Sequence, residues 1–137
     1  MTSVVEYEGE LRTVCTHLRS ENSFQTDAPP DNNGKGERFS PTDLLATSLA
    51  TCMLTVMGIK ARNMGFDLNG IKIKVEKIMK SEPRRVGGIN LFFDIPEGLK
   101  TVEDKTKQIL KHTGNTCPVW LSIHPDIEVN VDWQAWS

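Results

Sequence analysis

Apolar and polar residues alternate in short pieces over the first 27 residues of the chain, and this pattern predicts two or three antiparallel strands joined by tight turns. The apolar positions are Val4, Tyr7, Leu11, Val14, Leu18 and Phe24. The next segment, residues 28–36, is dense in Pro, Gly and Asn, residues that favour turns over regular structure. We therefore expect a strand meander followed by a surface loop.

A strong helix start comes directly after this loop. Ser40 stands at the cap position, Pro41 at the first helical position and Asp43 three residues after the cap. Apolar side chains then face nearly every direction over residues 44–64, and Gly65 supplies a C-terminal stop. A helix that is apolar on all sides is stable when it is buried, so we expect it in the centre of the domain or against a partner subunit.

The second half of the chain predicts a hairpin, two helices and a last strand. The predicted segments are strands 68–79 and 89–95 with a turn at 84–88, a helix over 99–112 with Gly114 as its stop, a short helix over 116–123, and a strand over 127–133. Strands, a long helix, more strands, helices and a strand in this order predict an α+β domain without a βαβ repeat. We expect a single domain over residues 1–137.

Length, charge and hydropathy limit the possible functions. The chain has 137 residues, with 16 Lys and Arg against 18 Asp and Glu, and this near balance argues against binding to nucleic acid or anionic lipid. The N-terminus lacks the features of a secretory signal, so we expect a cytoplasmic protein. The mostly apolar stretch 44–59 is interrupted by Ser and Thr and is shorter than the about 20 residues of a membrane span, so we expect no membrane association.

Three cysteines are the residues best able to carry chemistry: Cys15, Cys52 and Cys117. They are far apart and form no CxxC pair, which in a reducing compartment favours thiol chemistry over a disulfide framework. Cys52 lies inside the central helix, where packing is the commonest role of Cys, and Cys117 begins a short helix, where N–H groups can stabilise a thiolate. If these two thiols meet, one can be oxidised to a sulfenic acid and the other can condense with it.

A zinc site is a second interpretation of the same residues. Cys15 and His17 lie two apart on a predicted strand and point to the same side. Cys and His are the usual zinc ligands, although the spacing here matches no standard zinc pattern. The further ligands of such a site would come from Cys52, Cys117, His112 and His124.

Four stretches of the chain together resemble the OsmC/Ohr family, the osmotically inducible and organic hydroperoxide resistance proteins. These stretches are Phe39–Ala46, Ala50–Met53, Thr116–Val119 and His124–Asp126. The specific feature is the combination of a Pro-started helix that contains one Cys with a second Cys at the start of a late helix. The resemblance implies an intertwined homodimer in which antiparallel sheets from both chains wrap around two long central helices.

The resemblance also implies a function, the thiol-dependent reduction of organic hydroperoxides. Cys52 would attack the peroxide and Cys117 would resolve the resulting sulfenic acid. A dithiol such as a lipoyl protein would re-reduce the pair, and no metal or flavin would be needed. An arginine from the N-terminal hairpin, held by a glutamate near the start of the central helix, would stabilise the reactive thiolate; Arg12 fits this role best and Arg19 second.

One position departs from the family pattern. The residue that matches the glutamate is Thr42, and the neighbouring acid is Asp43. Asp43 could take over the role of the glutamate, or it could only cap the helix, in which case peroxidase activity could be weaker or the substrate different. The alternative function is therefore a non-catalytic OsmC-like dimer that binds a small apolar or electrophilic ligand.

Overall fold

The computed structural model describes residues 1–137, which form two compact units, Met1–Leu45 and Ala46–Ser137. Their strands are β1 (Ser3–Gly9), β2 (Arg12–His17), β3 (Ser23–Asp27), β4 (Lys72–Lys80), β5 (Arg85–Asp94) and β6 (Glu128–Asp132). Their helices are α1 (Pro41–Asn63), α2 (Glu97–Lys100), α3 (Asp104–Asn115) and α4 (Pro118–Ser122), with short 3-10 turns at Pro30–Asn32 and Gln134–Trp136. The predicted α+β class is confirmed.

The first unit contains the predicted meander. β1, β2 and β3 form an antiparallel sheet in that order. Glu10 and Leu11 turn the chain between β1 and β2 with φ of 51° and 62°, the left-handed conformation that tight hairpin turns require. One face of this sheet leaves apolar side chains exposed, those of Val5, Tyr7 and Phe24.

Helix α1 begins and ends where the sequence predicts. The backbone N–H of Asp43 donates to Ser40 Oγ, and the backbone N–H of Ser40 donates to Asp43 Oδ2, both at 3.0 Å. These reciprocal bonds satisfy N–H groups that the first helical turn leaves without partners. The helix ends at Asn63, and Gly65 follows with φ of +92°, a conformation that glycine adopts without strain.

The core of the second unit is built on one face of α1. The buried residues of that face are Ala46, Leu49, Ala50, Met53, Met57 and Ala61. They form one cluster with buried residues of β5 and with Leu110 of α3. Other apolar side chains of α1 remain accessible in the single chain, and Ile59 is 55% exposed. By length and composition alone α1 could also cross a membrane, a test that the core helices of water-soluble proteins also pass.

The second sheet has the order β4-β5-β6, with β5 in the middle. β4 pairs with β5 in antiparallel fashion, as a hairpin must. β6 runs parallel to β5, which differs from the antiparallel sheets that we expected. The reason is the connection: three helices separate β5 from β6, and this crossover returns the chain to the end of the sheet at which β5 began.

Two local predictions differ from the structure. The turn between β4 and β5 lies at residues 81–84, so Gly87 and Gly88 belong to β5, and the ladder shifts register between Ile78 and Met79. The predicted helix 99–112 is two helices, α2 and α3. The chain leaves helical conformation between them, because Glu103 is extended with ψ of 139°.

Gly114 does not end α3 but lies inside its last turn, where α3 packs against side chains of α1. A Cβ atom at this position would lie 2.8 Å from Sδ of Met57 and 3.4 Å from Cε of Met53. Both methionines are fully buried, so neither has free space to move into. The glycine is therefore required by packing.

We expect Gly114→Ala to lower the free energy of unfolding by about 1–3 kcal/mol, because the added methyl overpacks a full core. The matched control is Gly98→Ala in α2, where a Cβ would meet nothing within 4 Å. That change should leave stability unchanged or raise it slightly, since Ala favours helix over Gly. Urea denaturation of the two variants measures the difference, and equal effects would contradict the proposed contact.

Candidate functional site

Cys52 lies at the margin of the buried face of α1. Its neighbour Met53 is fully buried, whereas Cys52 itself is only partly buried and packs against the edge of the core. The rotation of about 100° per residue in an α-helix explains the difference between adjacent positions. The Cys52 thiol is therefore held by a rigid element and is still accessible to a small molecule.

Cys117 lies in the connection between α3 and α4 and is 1% exposed. Its backbone is extended (φ −68°, ψ 153°), it caps α4, and Pro118 follows at the first helical position. The backbone N–H of Cys117 donates to the carbonyl of Gly114 at 3.2 Å. The backbone N–H of Trp120 donates to Cys117 Sγ at 3.5 Å. These contacts fix the sulfur atom at the end of α3.

The structure brings Cys52 and Cys117 together. Burial raises the pKa of the Cys117 thiol, and a hydrogen bond with Cys52 and the charge of that neighbour raise it further. The N–H groups of Trp120 and Val119 act in the opposite direction and do not outweigh the burial. Cys117 consequently keeps its proton at neutral pH, beside a second sulfur that is more accessible to solvent.

This arrangement suits two-thiol redox chemistry. A disulfide requires Cα atoms within about 7 Å, and Cys52 is close enough to Cys117 to interact with it electrostatically. All three cysteines are free thiols in this structure. In such a pair of free thiols, an oxidant can oxidise the accessible sulfur. The buried sulfur can then form a disulfide with it.

Arg12, the predicted cation, makes a two-pronged ion pair within the first unit. Its Nε donates to Asp27 Oδ1 at 2.7 Å and its Nη2 donates to Asp27 Oδ2 at 2.8 Å. Glu37 Oε1 lies 3.5 Å from Nη2. Asp27 is 1% exposed and also accepts the backbone N–H of Glu37 at 3.1 Å. The guanidinium is thus held in a fixed orientation, and this pairing raises the pKa of Arg12 above its ordinary value.

Asp27 is the residue that the sequence analysis did not find. Arg12 and Asp27 are Cα partners in the ladder between β2 and β3, so they face each other only once the register of the hairpin is known. One feature of the sequence could have indicated this pair. Asp27 stands immediately before the Pro-rich loop, on the strand after the one that carries Arg12. The resemblance instead implies an acid near the start of α1, where this chain has Thr42 and Asp43.

Asp43 and Thr42, the two residues considered for that acidic position, both contact the helix cap. Asp43 exchanges two hydrogen bonds with Ser40, as described above. Thr42 Oγ1 lies 3.2 Å from Ser40 Oγ. The carboxylates found on Arg12 are those of Asp27 and Glu37.

The structure contains no group of three or more His, Cys, Asp or Glu side chains placed to hold a metal ion. Cys15 and His17 lie on β2, and His17 Nδ1 is 2.7 Å from Ser20 Oγ. The Cys15–His17 pair therefore has no complete set of ligands around it.

A groove of about 380 Å³ runs along α1 beyond Cys52. Thr55, one helical turn after Cys52, lies at its wall, and Arg62 is its charged lining residue from α1. The apolar part of the lining consists of Leu54, Ile59, Phe66, Leu68 and Ile71. Met53 and Met57 of α1 do not line this groove, because both are fully buried in the core.

One family model and several solved structures match this chain. The family model described as OsmC-like protein matches residues 34–132. No curated protein matches the chain. A solved structure from Psychrobacter arcticus 273-4, provisionally described as an osmotic stress induced and detoxification response protein, is 52% identical with a TM-score of 0.91. The match covers 96% of this chain and 94% of that one.

More distant structures share the fold at low sequence identity. The organic hydroperoxide resistance protein OsmC from Legionella pneumophila is 16% identical with a TM-score of 0.72, over 96% of both chains. OhrB, the organic hydroperoxide resistance protein of Bacillus subtilis, is 16% identical with a TM-score of 0.62, over 96% of this chain and 97% of that one. At this level of identity the likeness concerns the fold alone.

The ion pair of Asp27 predicts a pH-dependent contribution to stability. The hydrogen bonds from Arg12 lower the pKa of Asp27 below its ordinary value. Asp27 therefore stabilises the folded chain fully above the unfolded carboxyl pKa, about 4, and this contribution is lost as pH falls through the lowered folded pKa. We expect Asp27→Asn to lower the urea midpoint at pH 7, and the deficit relative to the parent protein to shrink in acid.

The control for this experiment is Glu37→Gln, which removes the same charge from a side chain that is 59% exposed. Because exposed ion pairs contribute little, we expect this variant to follow the parent protein at every pH. A deficit of Asp27→Asn that stays constant from neutral pH into acid would show that the loss does not come from ionisation of Asp27.

Proposed function

This chain belongs to the OsmC-like protein family, and we propose that it is a thiol peroxidase that reduces organic hydroperoxides with Cys52 and Cys117. The observation that carries the proposal is the placement of a partly exposed thiol on α1 and a buried thiol at the start of α4 in one core cluster, close enough to interact electrostatically. The resemblance of the sequence to the OsmC/Ohr proteins supplies the reaction. The related structures named as organic hydroperoxide resistance proteins support the same class of substrate.

In the proposed reaction the Cys52 thiolate attacks the terminal oxygen of the hydroperoxide. The O–O bond breaks, an alcohol is released and Cys52 becomes a sulfenic acid. The sulfur of Cys117 then attacks Cys52, water leaves and a disulfide forms. A dithiol reductant, for which a lipoyl protein is our proposal, returns both cysteines to thiols by disulfide exchange. No metal or flavin takes part in these steps.

For Arg12 we propose the role that the resemblance implies, stabilisation of the reactive thiolate. Asp27 then replaces the missing glutamate as the carboxylate that orients the guanidinium, since its two oxygens accept bonds of 2.7 and 2.8 Å. A bidentate pair of this kind fixes both position and direction of the cation. Asp43 stabilises the start of α1 through its two hydrogen bonds with Ser40.

The groove beside α1 supports an apolar substrate. Half of its ten lining residues are aliphatic or aromatic, four are polar or charged (Thr55, Arg62, Asp67 and Asn69), and it begins one turn from Cys52. Pockets of this composition bind the hydrocarbon part of a ligand. We propose that the alkyl part of the hydroperoxide lies there while the peroxide group faces Cys52.

We also propose that the active protein is a homodimer. Val5, Tyr7 and Phe24 share one face of the first sheet and are 61%, 64% and 50% exposed in the single chain. A contiguous apolar face of this kind is typical of an interface. A second copy of the chain is the partner that the resemblance to intertwined dimers implies.

We expect Cys52→Ser to abolish turnover of cumene hydroperoxide, because the nucleophile is lost. Cys117→Ser should allow one turnover, after which Cys52 is over-oxidised to sulfinic acid in excess peroxide. Cys15→Ser, the matched control, should retain turnover with a dithiol reductant such as dihydrolipoamide. Peroxide consumption and the mass of each oxidised protein measure these outcomes.

Full activity of Cys52→Ser would refute the peroxidase proposal. A parent protein whose thiols react with cumene hydroperoxide no faster than free cysteine would favour the alternative, a binding protein on the same scaffold. Stopped-flow measurement of thiol loss separates the two functions. Rapid loss of two thiols per chain is the result expected of the enzyme.

The dimer gives a separate prediction. Val5→Lys places a charge on the apolar face of β1, so we expect the protein to sediment at the mass of one chain. Glu6→Gln changes net charge by the same amount on the opposite face of the strand and should leave the mass at two chains. Analytical ultracentrifugation measures both. A Val5→Lys protein that remains dimeric would place the interface elsewhere.

A further inference from the structure

Cys117 is a buried thiol beside the proposed nucleophile. It is 1% exposed, its Sγ accepts a hydrogen bond from the N–H of Trp120 at 3.5 Å, and it belongs to the core cluster against which Cys52 packs. We propose that Cys117 is also the general acid of the first step, which protonates the alkoxide released when Cys52 cleaves the O–O bond. This inference rests on the proposed peroxidase function and gives Cys117 a role before it resolves the sulfenic acid.

The first step needs a proton donor. Attack of the Cys52 thiolate on the terminal oxygen forms an S–O bond, and both electrons of the O–O bond leave with the alkoxide. An alkoxide is a strong base, and its release is unfavourable beside an apolar groove unless a proton arrives with it. Transfer from the Cys117 thiol gives the neutral alcohol, Cys52 sulfenic acid and a Cys117 thiolate, so atoms and charge balance.

The surroundings of Cys117 suit a thiol that holds its proton until the alkoxide appears. Burial raises the pKa of Cys117, and Cys52 on α1 is the titratable group that faces it. The contacts from α4 are the N–H groups of Val119 and Trp120, and the contact from α3 is the Gly114 carbonyl, which accepts the backbone N–H of Cys117. These neighbours leave the thiol neutral at neutral pH.

Proton transfer would also prepare the second step. A thiolate, and not a thiol, attacks the sulfur of a sulfenic acid. If Cys117 gives up its proton as the O–O bond breaks, the resolving thiolate forms beside Cys52 at the moment when its target forms. The sulfenic acid oxygen then leaves as hydroxide and combines with the proton that Cys52 released to solvent when its thiolate formed, so the net product is water. The two halves of the reaction are coupled through one sulfur atom.

The test compares two oxidants that differ in their leaving group. Cumene hydroperoxide releases a strongly basic alkoxide, whereas perbenzoic acid releases benzoate, which needs no proton. All proteins carry Cys15→Ser, so that only the two thiols of the site remain. Rapid-quench experiments at pH 7 measure the rate at which cumyl alcohol or benzoate forms in a single turnover. This rate reports the first step, and it is compared between proteins with and without Cys117→Ala.

We expect Cys117→Ala to slow cumyl alcohol formation about 100-fold, the usual size of a general acid effect, and to leave benzoate formation within about twofold. If Cys117 only resolved the sulfenic acid, Cys117→Ala would leave both first-step rates unchanged. If its role were only structural, the substitution would lower both rates equally. Either result would overturn the inference. If the protein with both thiols reacts no faster than free cysteine, the proposed function itself fails, and the inference fails with it.

A second measurement needs no substitution at Cys117. In the protein with both thiols, general acid catalysis predicts that first-step alcohol formation falls at alkaline pH, when Cys117 loses its proton. A nucleophile that acts alone predicts a rise to a plateau. A plateau that persists to alkaline pH would overturn the inference even if the Cys117→Ala protein did not fold.

Discussion

Close packing between α1 and α3 is the constraint on which the proposed site depends. The buried face of α1 meets Leu110 and the last turn of α3, where Gly114 leaves room for Met57 and Met53. Cys117 follows three residues later, tied to Gly114 through its backbone N–H. The sulfur of Cys117 reaches Cys52 because the helix that precedes it lies this close to α1. A core contact, not a local motif, therefore sets the separation of the two thiols.

The same core makes the two cysteines chemically different. Both are ordinary thiols in the sequence, but Cys52 lies at the margin of a buried helix face and Cys117 lies inside. Burial penalises the charged form of a thiol, so the inner residue keeps its proton and the outer one is free to meet an oxidant. The difference in burial between the two thiols follows from their positions relative to the core.

The sequence predicted the features that local patterns encode. The capped start of α1 at Ser40, the first meander, the half-buried β4 and the helix after Cys117 are all confirmed. The features that the sequence did not predict depend on contacts between residues far apart along the chain. The parallel pairing of β6, the packing role of Gly114 and the pairing of Asp27 with Arg12 each depend on a partner on another element, which neither hydrophobic periodicity nor turn chemistry specifies.

The carboxylate that holds Arg12 lies on a different element from the one that the resemblance implies. The resemblance places the carboxylate on the central helix, where this chain has Thr42, whereas the acid that holds Arg12 here is directly across a β-ladder. Ladder register is fixed by the alternation of side chains and by the hairpin turn, so the pair forms wherever β2 and β3 pair correctly. The hydroxyl of Thr42 lies 3.2 Å from Ser40 Oγ, at the start of α1. A change that looks like the loss of a functional acid is accordingly compatible with a fully oriented guanidinium.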